Sequence, residues 1–194
     1  MRHPAAIASG VAFVVLIVLA GRFSIAKDEE KKEAAQESPK PGPEHEALEY
    51  FAGKWEGKTG WRMNAGDAFL EGTMSEETRK ALSGLWFISD MKGKNEMGEY
   101  EGHGVLGYDT QKKKYVGFWV DSMATYAFPY EGMHDKASKT WTYTGTMKDM
   151  EGKDLKVTLK SVIKDKDHYN FSIHHADPSG KDMEAFRIDY TRKK

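Results

Sequence analysis

The 194-residue chain contains no cysteine. That absence removes a thiol nucleophile, any thiolate metal site and the modified cysteine of a lipoprotein anchor. Export stays open, because a domain of roughly 150 residues buries a core large enough to hold without disulfides. A surplus of one charge is missing too. Lys and Arg number 29 against 30 Asp and Glu, so no basic face is implied and nucleic acid is not the expected partner. The chain has no HExxH, no GxSxG around Ser122, and no pair of carboxylates that stands out as an acid/base couple. Without a catalytic signature, the chain is expected to bind rather than to transform.

What is present begins with an export signal. Arg2 and His3 precede an uncharged run from Pro4 to Gly21 with an apolar centre at Val11 to Ala20, the layout of a signal peptide. Ser24-Ile25-Ala26 offers a small-x-small cleavage site, with Lys27 opening the mature chain. The same run is at the lower limit for spanning a bilayer of ~30 Å, so an uncleaved anchor is the alternative. Either way the domain is expected outside the cytoplasm, periplasmic or secreted, or held at the membrane through the N-terminal segment alone. Residues 1–26 are the signal or anchor. Residues 27–42, charged and punctuated by Pro39 and Pro41, form a disordered linker that has too little apolar surface to fold. Residues 43–194 are the globular domain.

That domain opens with a short helix, Pro43 to Phe51, started by proline and acidic residues and stopped by Gly53. Leu48 and Phe51 share one face and could plug a barrel end. Strands follow. Gly53 to Met63 is the first, and Ala68 to Leu82 the second, with a polar middle at Ser75 to Arg79 expected to face water or an edge. Leu85 to Met91 is the third, and Gly93 to Gly98 a loop. The stretch Tyr100 to Ser122 is a complete hairpin: two apolar, glycine-rich runs flank the polar turn Asp109 to Lys113. Ala124 to Met133 carries Pro129, which implies a bulge or an edge. Strands from Trp141, Leu155, His168 and Met183 complete the chain, each alternating apolar and polar residues. The expected fold is all-β, an antiparallel up-and-down barrel of about ten strands with a short N-terminal helix.

Three stretches carry a family resemblance. Pro41 to Gly57, Gly104 to Met123 and the terminal Asp189 to Lys194 resemble a bacterial family catalogued as domain of unknown function 1579. The resemblance spans essentially everything from Pro41 onward. It implies a lipocalin-like (calycin) barrel and brings no established reaction. Gly53-x-Trp55 also resembles the opening of lipocalins, in which a basic residue near the last strand stacks on the tryptophan. Arg192 is the matching candidate, so Trp55 and Arg192 are expected to close one barrel end.

The side chains expected to line the interior are Trp61, Trp86, Tyr100, Tyr115, Trp119, Tyr143 and Phe171, with Asp121 as a carboxylate in or near the cavity. Core packing is the plainer account of the aromatics, and capping the next turn the plainer account of Asp121. Numerous methionines fit a deformable interior. The expected occupant is a small apolar or amphipathic molecule, held without catalysis, metal or cofactor. Two alternatives stand beside it. One is a haem- or metal-binding barrel, by analogy with nitrobindin-like barrels, with His103, His168, His174 or His175 as axial ligand. Adjacent His174 and His175 point to opposite faces of a strand, so they cannot share one ion. The other is a tethered interaction domain that works through its outer surface.

Overall fold

A computed structural model describes residues 38–194. The signal or anchor segment and most of the linker lie outside the described residues. Pro43 opens helix α1 (Pro43–Ala47), where its missing N–H has no helical partner to lose. A 3-10 turn, Leu48–Phe51, continues it. Ten strands follow: β1 (Gly53–Trp61), β2 (Leu70–Ala81), β3 (Trp86–Asn95), β4 (Gly98–Asp109), β5 (Lys114–Asp121), β6 (Phe128–Asp135), β7 (Thr140–Lys148), β8 (Asp154–Ile163), β9 (His168–Ala176) and β10 (Asp182–Arg192).

Every strand pairs antiparallel with its chain neighbours, and β1 pairs with β10, so the sheet is a closed barrel. Closure removes the unpaired edges that an open sheet exposes. The polar middle of β2 therefore lies at no edge. Its residues alternate instead, with Met74 and Thr78 buried while Ser75, Glu77 and Arg79 face outward. The expected loop at Gly93 to Gly98 shrinks to a tight turn, because β3 runs on to Asn95 and β4 begins at Gly98. Charged outward residues in both strand ends, Lys92 and Lys94 against Glu101 and Glu99, hide this pairing in the composition. β6 likewise starts only at Phe128. Pro129 pairs with Phe118 of β5 but precedes Tyr130, the first residue paired with β7, so that ladder loses no donor.

The two ends of the barrel differ. At one end Leu48, fully buried, and Phe51 form a plug that packs against the core. Phe51 meets Trp141 and Tyr169 edge-to-face, with ring centroids 5.0 and 5.2 Å away. Beside the plug, Trp55 donates its indole N–H to the Phe51 carbonyl at 2.8 Å. Arg192 sits 4.0 Å over the Trp55 ring. The opposite end, where β1, β3, β5, β7 and β9 finish, has no such plug among the described residues.

Candidate functional site

The interior opens at that second end into a cavity of about 1170 Å³. Its walls are the inward residues of the strands, and period-two alternation decides which those are. On the β4–β5 hairpin, Gly102 pairs with Asp121, Gly104 with Trp119 and Leu106 with Gly117, all on the inner face. Trp119 lies flat across the two glycines. A Cβ on Gly102 would come within 2.1 Å of the indole, so only glycine leaves room for the ring. Trp119 Nε1 donates to Asp121 Oδ2 at 2.8 Å, while Oδ1 accepts from the Met123 amide at 2.8 Å. Asp121 thus lines the cavity and caps the next turn at once.

Of the other interior candidates, Trp61, Tyr100, Tyr143 and Phe171 also line the cavity. Trp86 and Tyr115 do not. Trp86 alternates with buried Phe87, which takes the inward position instead. With two aromatics in adjacent positions, one must face out, and the register of β3 selects Trp86. Tyr115 is buried but lies at the plugged end, where its hydroxyl donates to the Glu44 carbonyl at 3.2 Å. Desolvation pushes the pKa of this phenol up to about 12.

The mouth is rimmed by methionine. Met63, Met97, Met123 and Met150 sit in four different connections at this end, line the cavity entrance and are exposed. Unbranched thioethers in such a place make an apolar rim that deforms at little cost.

The most unusual group inside is one that sequence reasoning missed. Glu76 occupies an inward position on β2, between Met74 and Thr78, and lines the cavity. Its Oε2 accepts from the Tyr190 hydroxyl at 2.6 Å, and Oε1 from Thr78 Oγ1 at 2.9 Å. Thr78 is in turn bonded to Ser89 Oγ at 2.7 Å. Tyr190 on β10 and Glu76 on β2 flank β1, so this bond spans that strand, while Ile188 and Met74 occupy the space over Gly57. Desolvation holds the Glu76 carboxyl above its ordinary pKa, against the opposing pull of the Tyr190, Thr78 and Ser89 hydroxyls. No ion pair among the described residues includes it. The surrounding phenols are also displaced. Burial raises Tyr130, Tyr169 and Tyr190, and the nearby Glu76 charge adds to the rise in each. The signal in the sequence was the spacing Gly72, Met74, Glu76, Thr78, which puts a carboxylate in phase with a methionine.

The histidines are scattered. His103 bonds Asp90 at 2.7 Å and His168 bonds Asp165 at 2.9 Å, both part-exposed on the surface. His174 bonds Asp182 and Ser172, each at 3.0 Å, on the outer face of β9. Only His175 of the four lines the cavity, near its mouth, with Nδ1 2.9 Å from the Ala176 carbonyl. The deep cavity presents a carboxyl and phenols, and an imidazole enters the lining only near the mouth, at His175. No cluster of three or more potential ligands for a metal ion occurs among the described residues.

A closed ten-stranded antiparallel barrel, plugged by a helix at one end and hollow at the other, is a calycin-like barrel. The chain belongs to the family described as "Protein of unknown function (DUF1579)", matched over residues 40–192. Among solved structures it is similar to Rv2717c from M. tuberculosis, with a TM-score of 0.60 at 10% identity, over 79% of this chain and 99% of that one. A weaker likeness, TM-score 0.40 at 15% identity over 76% and 97% of the two chains, is to a de novo designed fluorescence-activating β-barrel. No curated protein sequence matches.

Proposed function

We propose that this chain is an exported barrel that holds a small apolar or amphipathic molecule in its cavity without catalysing a reaction. The observation that carries the reading is the cavity itself, about 1170 Å³ of space walled largely by Trp, Tyr, Phe, Met, Leu and Ile side chains. That is the size and lining of a site for a ligand of tens of atoms, where apolar burial supplies affinity and a few polar groups supply orientation. A small barrel that needed only stability would fill this space with side chains. Export rests on the N-terminal segment, with Arg2, the apolar run to Gly21 and the Ser24-Ile25-Ala26 site.

Titration of the full chain with 1-dodecanol, followed by tryptophan emission, tests the binding. Trp119 and Trp61 line the cavity, so occupancy is expected to shift the emission and to saturate near one equivalent. Emission unchanged up to the solubility limit, with no small molecule released on denaturing protein from its native host, would remove the reading.

A further inference from the structure

The proposed occupant can be narrowed by the carboxyl of Glu76, set among phenols in the cavity. Glu76 already accepts hydrogen bonds from Tyr190 and Thr78, and those hydroxyls are neutral. They lower the cost of placing a carboxylate there but do not balance its charge. The two basic side chains that line the cavity are committed elsewhere. Arg62 donates to the Glu184 and Ala65 carbonyls at 2.8 and 3.0 Å, and Lys148 pairs with Asp154 at 2.5 Å. The carboxyl is thus an acceptor in an apolar chamber with no cation of the described residues beside it.

Its surroundings suit a positive charge in other ways. Tyr130, Tyr143, Tyr169 and Tyr190 line the same cavity, and the face of an aromatic ring attracts a cation. Carboxylates also line the mouth, at Asp121, Asp149, Glu151 and Asp177. These four carboxylates outnumber the two cations in the lining, Arg62 and Lys148, so the balance of charge there favours a cation over an anion.

We propose that Glu76 is the recognition group for a cationic amphiphile, whose ammonium head pairs with this carboxylate while its alkyl tail lies against the aromatic wall and the methionine rim. The inference rests on the reading of the cavity as a ligand site and adds the sign of the ligand's charge. An ammonium head would supply the countercharge that the protein itself withholds. A fatty-acid anion in the same place would set two carboxylates against each other in a low-dielectric chamber, which is unfavourable.

The test compares three probes of equal tail length at pH 7, below their micellar concentrations: dodecylammonium, 1-dodecanol and dodecanoate. Each is titrated into the full chain and into Glu76→Gln by calorimetry and tryptophan emission. Dodecylammonium is expected to bind the wild type about tenfold more tightly than 1-dodecanol, with dodecanoate weakest. Glu76→Gln is expected to abolish the advantage of the amine while leaving 1-dodecanol unchanged. Glu76→Met serves as the second variant should the first fail to fold. An amine that binds no better than the alcohol, or an advantage that survives in the variants, overturns the inference and leaves the ligand site standing. Failure of all three probes to bind overturns both.

Discussion

Arg192 and Trp55 are register partners across the β1–β10 seam, and the guanidinium lies 4.0 Å over the indole. The same guanidinium donates to the Ala52 carbonyl at 2.7 Å and the Tyr50 carbonyl at 2.6 Å. One side chain from the last strand thereby holds the first strand, the chain leading into it and the helical plug. The contact lives where the barrel closes, so it ties the two ends of the fold together. Trp55 is 1% exposed, and its removal would leave a large void. Trp55→Ala is expected to cost about 3–5 kcal/mol of stability, measured by denaturant unfolding. A loss below about 1 kcal/mol would mean that the seam does not depend on this ring.

The bed of Trp119 predicts a second outcome. Gly102→Ala places a methyl 2.1 Å from the indole, so the ring must lift and its bond to Asp121 must break. Overpacking of this kind is expected to cost about 1–3 kcal/mol. A red-shifted emission should accompany the loss as the indole leaves its place on the wall. An unmoved spectrum with native stability would contradict the packing described for β4 and β5.

Glu76 sets a dependence on pH. Burial raises its pKa above the ordinary 4.5, so the folded state holds the proton more tightly than the unfolded chain does. The stabilisation is therefore full below pH 4.5 and is lost as pH rises through the folded-state value. Glu76→Gln has no proton to lose. The Tm of the variant relative to wild type is expected to climb as pH goes from 4.5 to 8, by about 2 °C or more. Parallel melting curves across that range would show that the carboxyl is not desolvated.

His134 works in the opposite sense. It stacks on Trp141 at 3.5 Å with the planes 5° apart, and its Nδ1 is buried without a partner. Desolvation, helped by Lys136 and opposed by Asp135, lowers its pKa from 6.5. A depressed value on a base means stability that is present above pH 6.5 and is lost as pH falls through the folded-state pKa. An NMR titration of this imidazole should give a midpoint below 6.5. His134→Phe should keep the stack and remove that part of the acid loss. A midpoint at or above 6.5 would show that the ring is solvated.

The hairpin around Asp109 to Lys113 was readable almost to the residue, because glycine-rich alternation and a polar turn are both local features. The interior candidates were harder. Trp86 and Phe87 are neighbours of equal character, and nothing in their own stretch says which faces in; the pairing of β3 with β2 and β4 decides it. Tyr115 has the inward parity expected of it, yet the helical plug claims its end of the barrel. Glu76 was missed because a run of polar residues, Ser75 to Arg79, looks like a solvated strand unless its partners are known.

The sequence by itself determined the strands, their antiparallel order and the composition of the two faces, since period-two alternation and turn chemistry act over a few residues. Only the tertiary structure decided that β1 meets β10, that the inner residues stop short of filling the space, and that the Glu76 carboxyl faces into it. Those facts depend on how twist accumulates over ten paired strands. No short stretch of chain contains that sum.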